Sequence, residues 1–136
     1  MVTVPIECPR PGDAMLASRI FRGAGIYGLI VLFPTLFLEA RVGIDAPPPI
    51  THPEYYYGFI GLALAWQLAF LVIGSDPVRF RPLMLPAVVE KFSWGAVAFG
   101  LPLAGRAVAA PTMFVAAIDV ALGCAFLVAR RHTPAN

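Results

Sequence analysis

Four long stretches of apolar residues, separated by short polar or proline-containing segments, dominate the pattern along the chain. They predict helices over about 14–38, 51–74, 83–103 and 111–128. A membrane-spanning helix needs about 20 mainly apolar residues, and each stretch reaches or approaches that length. The second is the clearest, because Tyr55–Ser75 contains no formally charged side chain. The pattern therefore predicts an all-α fold, a polytopic transmembrane four-helix bundle formed by residues 13–129.

Local signals mark the ends of these helices. Asp13 is a suitable N-cap for the first helix, since Asp side chains accept hydrogen bonds from free backbone N–H groups. Pro34 is expected to kink that helix near its far end. Thr51-His52-Pro53-Glu54 fits a capping box with Thr51 as the N-cap of the second helix. Residues 39–50, which include three consecutive prolines, are expected to form a stiff extended loop.

Composition agrees with a lipid environment. Hydrophobic residues make up 59% of the chain and charged residues 13%, whereas soluble domains contain about 45–50% and about 25%. A small water-soluble fold exposes much of its surface and needs charges to cover it. The net charge of +2, without a basic stripe, does not favour a nucleic-acid partner. The expected partner is the lipid bilayer, and a membrane-protein partner or a second copy of the chain stays open.

Arginines are unevenly divided between the two sides of the predicted membrane. One side carries seven, namely Arg10, Arg19, Arg22, Arg79, Arg81, Arg130 and Arg131, and the other carries Arg41 and Arg106. Lys and Arg accumulate on the cytoplasmic side of membrane proteins. Both termini are therefore predicted to be cytoplasmic, with residues 1–12 and 130–136 as tails. The first apolar stretch ends without a small-x-small cleavage site, so it is expected to be retained.

Several polar side chains fall inside the predicted apolar slab. They are Arg22, Gln67, Glu90, Lys91 and Asp119. At about 1.5 Å of rise per residue, Asp119 lies roughly 13 Å from the cytoplasmic boundary, and Gln67 and Glu90 roughly 10 Å. A carboxylate at the bilayer centre costs at least about 2.5 kcal/mol. We therefore expect one intramembrane polar cluster in which Asp119 is protonated, hydrogen-bonded, or paired with Arg22 or Lys91.

This cluster has a functional and a structural interpretation. Asp119 and Glu90 are the residue types of a proton or cation relay, or of the polar end of a ligand pocket. The structural interpretation is a network that ties the first, third and fourth helices together. Lys91 can instead extend to the cytoplasmic headgroups, and Gln67 is expected to form an interhelical hydrogen bond.

Small residues recur at four-residue spacing and predict the faces along which the helices pack. They are Gly61, Ala65 and Ala69 on the second helix, Ala96, Gly100 and Ala104 on the third, and Ala117, Ala121 and Ala125 on the fourth.

Motifs of known chemistry are not evident. Cys8 and Cys124 have no metal-ligand spacing, so both are expected to be free thiols, with Cys124 as a small packing residue. Asp45, His52 and Glu54 are insufficient for a metal site, and neither a metal nor a cofactor is predicted. The sequence contains no HExxH, GxSxG or P-loop lysine motif. No catalytic residue is assigned.

Chain length, four spans with both ends inside, and the basic loop Asp76-Pro77-Val78-Arg79-Phe80-Arg81-Pro82 resemble the small DoxX-like bacterial membrane proteins. The resemblance covers nearly the whole chain and rests on topology. It implies a multi-pass protein of the bacterial inner membrane, and no functional residue is carried over from it.

Three functions follow as hypotheses. The favoured one is a non-enzymatic accessory or assembly component whose polar cluster sets the helix register. The alternatives are a small transporter or proton-coupled carrier that uses Asp119 and Glu90, and a membrane enzyme that acts on a lipid or quinone. A lateral apolar pocket ending at Glu90 or Asp119 is expected for the enzyme, and a water-accessible cavity reaching Asp119 for the carrier.

Overall fold

The computed structural model describes residues 11–45 and 47–134. Helix α1 (Pro11–Leu32) is followed by a 3-10 turn, a short helix α2 (Glu39–Asp45), and the long helices α3 (Pro53–Ser75), α4 (Met84–Leu103) and α5 (Ala110–His132). Within these ranges there is no strand, which confirms the all-α prediction. Residues 1–10 of the expected N-terminal tail lie outside the described residues. Of the expected C-terminal tail over residues 130–136, the first three residues belong to α5.

Four segments are long and apolar enough to cross a membrane: Ala14–Phe37, Pro53–Ser75, Arg81–Leu103 and Ala110–His132. Large apolar side chains cover the outside of the bundle, where Phe37 is 76% and Leu62 is 64% exposed. A water-soluble protein of this size does not expose so much contiguous apolar surface. The chain is therefore a multi-pass membrane protein whose outer surface contacts lipid.

The helices form an incomplete ring. α1 packs along α3 on one side and along α5 on the other, and α4 packs along α5. α3 and α4 follow each other in the chain but hardly touch. Going around the bundle, the order is thus α3, α1, α5, α4, with a gap between the first and the last. This gap creates the cavity described below.

Glycines allow the close approach of the paired helices, and they are not the ones predicted. A Cβ atom on Gly25 would lie 2.8 Å from the main-chain oxygen of Gln67 on α3, and a Cβ on Gly95 would overlap Val120 on α5. The predicted stripes point elsewhere: Gly61, Ala65, Ala96, Gly100, Ala104, Ala117 and Ala121 are exposed, and Ala69 and Ala125 half-buried. Four-residue spacing alone does not select the packing face, because lipid-facing positions share this period.

An aromatic core joins three helices in the half of the bundle that contains the start of α1 and the end of α5. The rings of Phe21 and Phe126 stack with centroids 4.2 Å apart, and Phe70 meets Phe126 edge-on at 5.0 Å. All three side chains are fully buried. Aromatic pairs at such distances contribute about 0.5–1.5 kcal/mol beyond area burial. They hold α1, α3 and α5 together where the gap does not reach.

Helix α1 also caps the end of α3. The Ser18 hydroxyl donates to the Gly74 carbonyl oxygen at 2.6 Å, and Arg22 Nε donates to the same oxygen at 3.0 Å. The last carbonyls of a helix have no partner within the helix and carry a partial negative charge. A hydroxyl and a guanidinium from the neighbouring helix satisfy one of them.

Ser18→Ala is accordingly expected to lower the free energy of unfolding by about 1 kcal/mol, since it removes one of these bonds. Thermal unfolding in mild detergent, followed by circular dichroism, measures the change. Ser75→Ala is the matched control, because the Ser75 hydroxyl donates only to Val72 of its own helix and is exposed. Equal losses for the two variants would contradict the role assigned to Ser18.

Several predicted helix ends are wrong. α1 begins at Pro11, so Asp13 is inside the helix and is not its N-cap. α1 ends at Leu32 and a 3-10 turn starts at Pro34, since a proline ring clashes with the preceding helical turn. His52, not Thr51, is the N-cap of α3, and no side chain caps the helix.

The chain between α1 and α3 also differs from the expected extended loop. Residues Glu39–Asp45 form α2, with an acidic residue in its first turn. Arg41 Nε donates to Asp45 Oδ2 at 2.7 Å, an exposed pair one helical turn apart. Such pairs support an isolated helix by about 0.2–0.5 kcal/mol. After α2, residues 47–52 contain bends and belong to no helix or strand.

Candidate functional site

A cavity of about 670 Å³ lies where α3 and α4 fail to meet. α3 and α4 form its walls, and α1 and α5 close its back. Its apolar lining is supplied mainly by Val31, Leu32, Phe59, Leu62, Ala63, Trp66, Leu85, Val89, Trp94, Val97 and Val115. Sites for small molecules enclose about 300–1,000 Å³ and are lined mostly by apolar and aromatic side chains. This cavity has the size and the lining of such a site.

The mouth of the cavity faces lipid. Leu62 on α3 and Val89 on α4 line it and are 64% and 59% exposed on the outer surface of the bundle. Towards the α1–α3 loop side, Phe59 and Trp94 contact each other across the gap with ring centroids 5.3 Å apart. At the other side the α3–α4 connection closes the gap. The opening is therefore a lateral window at membrane depth.

Polar groups converge at the inner end of the cavity. Lys91 Nζ donates to Asp119 Oδ1 at 2.8 Å and lies 3.5 Å from Glu90 Oε2. The ammonium also lies 5.3 Å from the centroid of the Phe70 ring, within cation–π range. Lys91 is 5% exposed, so the prediction that it extends to the headgroups is wrong. Its side chain points towards α5, where Asp119 is a nearer partner than the membrane surface.

Gln67 adds a polar group on the α3 side of this end. Its Nε2 donates to the Ala63 carbonyl oxygen at 3.0 Å, which is a bond within α3, so the predicted interhelical hydrogen bond is wrong. Its Oε1 is buried and accepts no conventional hydrogen bond. A Cβ on Gly28 would overlap this oxygen, which means that a Cα–H of Gly28 points at it. Such contacts are worth only about 0.5–1 kcal/mol.

Arg22 is not part of the cluster, contrary to prediction. Its Nε donates to the Gly74 carbonyl oxygen at the end of α3, and Arg22 does not line the cavity. The reason is geometric, because the C-terminus of α3 presents unpaired carbonyls one helix away. Of the five predicted residues, Gln67, Glu90, Lys91 and Asp119 are brought together and Arg22 is placed apart.

The aromatic part of the site was not foreseen. Tyr27, Phe59, Trp66 and Trp94 all line the cavity. For Trp94 there was a signal, since it lies four residues after Glu90 and therefore on the same face of α4. For Tyr27 and Phe59 the sequence contained no such signal. An aromatic residue in an apolar helix can face either lipid or a cavity, and the neighbouring residues in the sequence do not distinguish the two.

Outside the membrane, the residues considered for a metal site have other partners. Asp45 pairs with Arg41, and His52 Nδ1 lies 3.1 Å from Glu54 Oε1. Among residues 11–45 and 47–134 there is no group of three His, Cys, Asp or Glu side chains placed to hold a metal ion. Cys124 is a free thiol, as predicted. It is exposed, so the prediction that it is a small packing residue is wrong.

Comparison of the chain with protein-family models, with curated proteins and with solved structures finds no match. The resemblance to the DoxX-like proteins stays a prediction from topology.

Proposed function

We propose that this protein binds a lipid-soluble molecule that enters the cavity sideways from the bilayer and places a polar group against Glu90, Lys91 and Asp119. The observation that carries the proposal is the lateral window between α3 and α4, which ends at these charges. An apolar body suits the walls of the cavity, and a polar group suits its inner end. This arrangement is the one expected of a protein that acts on, carries or senses a membrane-soluble ligand.

The cost of the polar cluster supports a ligand site. Ionisable groups within a membrane are expensive and usually mark a site or a pathway. A pair that served only to fasten α4 to α5 would need Lys91 and Asp119 alone. Glu90 adds a second carboxylate, and Gln67 Oε1 and Glu90 Oε2 are buried without a hydrogen-bond partner. Unsatisfied buried polar groups cost about 1–3 kcal/mol each, and a bound ligand can offset that cost.

The test is to purify the protein from native membranes in mild detergent and to identify co-purifying small molecules by mass spectrometry. Binding is then followed by tryptophan fluorescence, because the chain has only two tryptophans, Trp66 and Trp94, and both line the cavity. Ala63→Phe fills the cavity and is expected to weaken binding at least about tenfold. Ala65→Phe is the matched control, since Ala65 lies on the same helix but is exposed.

Equal binding by the two variants would refute the proposal. The proposal would also be refuted by a disulfide cross-link in native membranes between a chain with Leu62→Cys and a chain with Val89→Cys, together with the absence of any bound small molecule. In that case a second copy of the chain would cover the window.

A second candidate function is the accessory or assembly component that the sequence favoured. The Lys91–Asp119 ion pair supports it, because it joins α4 to α5 inside the membrane and explains part of the cluster as a structural network. If this function is correct, a partner protein co-purifies in place of a small molecule, and Ala63→Phe affects neither the partner nor the folded state.

We also propose a bacterial inner-membrane location with both termini in the cytoplasm. Arg81 Nε donates to the Thr133 carbonyl oxygen at 2.7 Å, so the α3–α4 connection and the C-terminal end of α5 lie at one end of the bundle. The arginine-rich segments share that end, which is expected to be cytoplasmic. Fluorescence of a C-terminal green fluorescent protein fusion is expected, and activity of a C-terminal alkaline phosphatase fusion would contradict the orientation.

A further inference from the structure

We propose that the ligand of the cavity is an apolar organic cation, such as a protonated hydrophobic amine or a quaternary onium ion. This inference rests on the proposed function and adds the chemical class of the ligand. It is carried by the charge balance at the inner end of the cavity, together with the aromatic side chains around it.

The charges at the inner end do not balance. The polar or ionisable side chains that face it are Tyr27 from α1, Gln67 from α3, Glu90 and Lys91 from α4, and Asp119 from α5. Lys91 is the one cation among them, and it is engaged with Asp119 at 2.8 Å. Glu90 lies at a longer 3.5 Å from Lys91, and its Oε2 has no hydrogen-bond partner. One carboxylate is therefore in excess.

This excess selects among ligands by sign of charge. A carboxylate in low dielectric repels an anionic headgroup, and the repulsion is far stronger than in water. A neutral molecule leaves the excess charge uncompensated. A cation supplies the missing positive charge, which satisfies the rule that buried charges are paired.

The aromatic walls suit a cation as well. Trp66, Trp94, Phe59 and Tyr27 line the same cavity as Glu90. Aromatic faces attract cations, tryptophan most strongly, and the attraction is stronger where the site is desolvated. Aliphatic side chains would suffice for a neutral apolar ligand.

Proton binding competes with the ligand. Any proton that occupies the excess carboxylate is released to the solution when the cation binds. Affinity for a permanent cation is therefore expected to fall as the pH is lowered.

The experiment compares probes of similar size and different charge: tetraphenylphosphonium, tetraphenylborate and the neutral triphenylphosphine oxide. Tryptophan fluorescence and isothermal calorimetry in detergent measure binding to the wild-type chain and to Glu90→Gln. Tetraphenylphosphonium is expected to bind at least about tenfold more weakly to Glu90→Gln. Tetraphenylborate is expected to bind Glu90→Gln no more weakly than it binds the wild-type chain. The affinity of the wild-type chain for tetraphenylphosphonium is expected to fall as the pH is lowered.

Glu54→Gln is the matched control, since Glu54 is an exposed carboxylate on α3, far along the helix from the cluster. Thermal unfolding establishes that Glu90→Gln is folded. The inference is overturned if the wild-type chain binds tetraphenylphosphonium and tetraphenylborate equally well and Glu90→Gln changes neither affinity.

The two proposals fail in different ways. Suppose that triphenylphosphine oxide binds the wild-type chain, that Ala63→Phe prevents this binding, and that the affinity for tetraphenylphosphonium does not depend on Glu90. In that case the proposed function stands and the cation inference is wrong. If no probe binds and Ala63→Phe has no effect, both fall.

Discussion

Lys91→Met is expected to lower the free energy of unfolding by about 3–5 kcal/mol, the cost of removing one partner from a buried ion pair. Lys91 is 5% exposed and is the cation nearest to Asp119 and to Glu90. Without it, two carboxylates lie in the membrane without a counter-charge. The methionine side chain matches the shape of the lysine stem, so lost packing contributes little. Unfolding by heat or by dodecyl sulfate, followed by circular dichroism, measures the effect.

Two further variants show whether the loss comes from charge. Lys91→Met combined with Asp119→Asn removes both charges of the pair and is expected to recover part of the stability, because replacing both partners avoids an unpaired charge. Asp45→Asn breaks an ion pair of similar length whose side chains are 70% and 54% exposed, and it is expected to cost less than about 1 kcal/mol. A double variant no more stable than Lys91→Met would refute the assignment.

Gly25→Ala is expected to have the second-largest effect, a loss of about 1–3 kcal/mol from overpacking. The added Cβ would lie 2.8 Å from the Gln67 main-chain oxygen and 2.8 Å from Leu71 Cδ2. Main chain cannot rotate away, so α1 and α3 must separate. Because Gln67 lines the cavity, the separation is also expected to change ligand binding. The same unfolding measurement in detergent applies.

Gly23→Ala is the matched control, two residues away on the same helix. A Cβ there has no neighbouring atom within 4 Å. Alanine has a higher helix propensity than glycine by about 1 kcal/mol, so this variant is expected to be neutral or more stable. The two substitutions therefore differ in sign as well as in size. If both variants gain stability, the close α1–α3 contact is incorrect.

The features predicted correctly from the sequence are those that depend on hydrophobicity along the chain. The four spans and the all-α class follow from length and apolarity. Gln67, Glu90, Lys91 and Asp119 lie within the segments that are long and apolar enough to span a membrane, as counting residues along the helices predicted. An ion pair between Asp119 and Lys91 was one of the predicted arrangements, but the sequence did not favour Lys91 over Arg22 as the partner.

Most of the wrong predictions concern the face of a helix on which a residue lies, and therefore the neighbour that its side chain contacts. Arg22 and Lys91 each have several partners within reach of a long side chain, and the choice depends on which neighbouring helix is closest. The predicted small-residue stripes failed for the same reason. A position at four-residue spacing lies on one face, but the local sequence does not say whether lipid or protein covers it. The capping box at Thr51 failed because the N-cap of the helix is His52, one residue later.

By itself, then, the sequence determined that this chain forms membrane-spanning helices and that charged groups lie among them, because the transfer of each residue into lipid depends on its own chemistry. The order of the helices around the bundle, the gap between α3 and α4, and the aromatic walls of the cavity were decided by the tertiary structure alone. Lipid provides no hydrophobic force that brings helices together, so helix pairing depends on close contacts such as those of Gly25, Gly28 and Gly95. Those contacts form only when residues that are distant in the chain are brought together by packing of the helices.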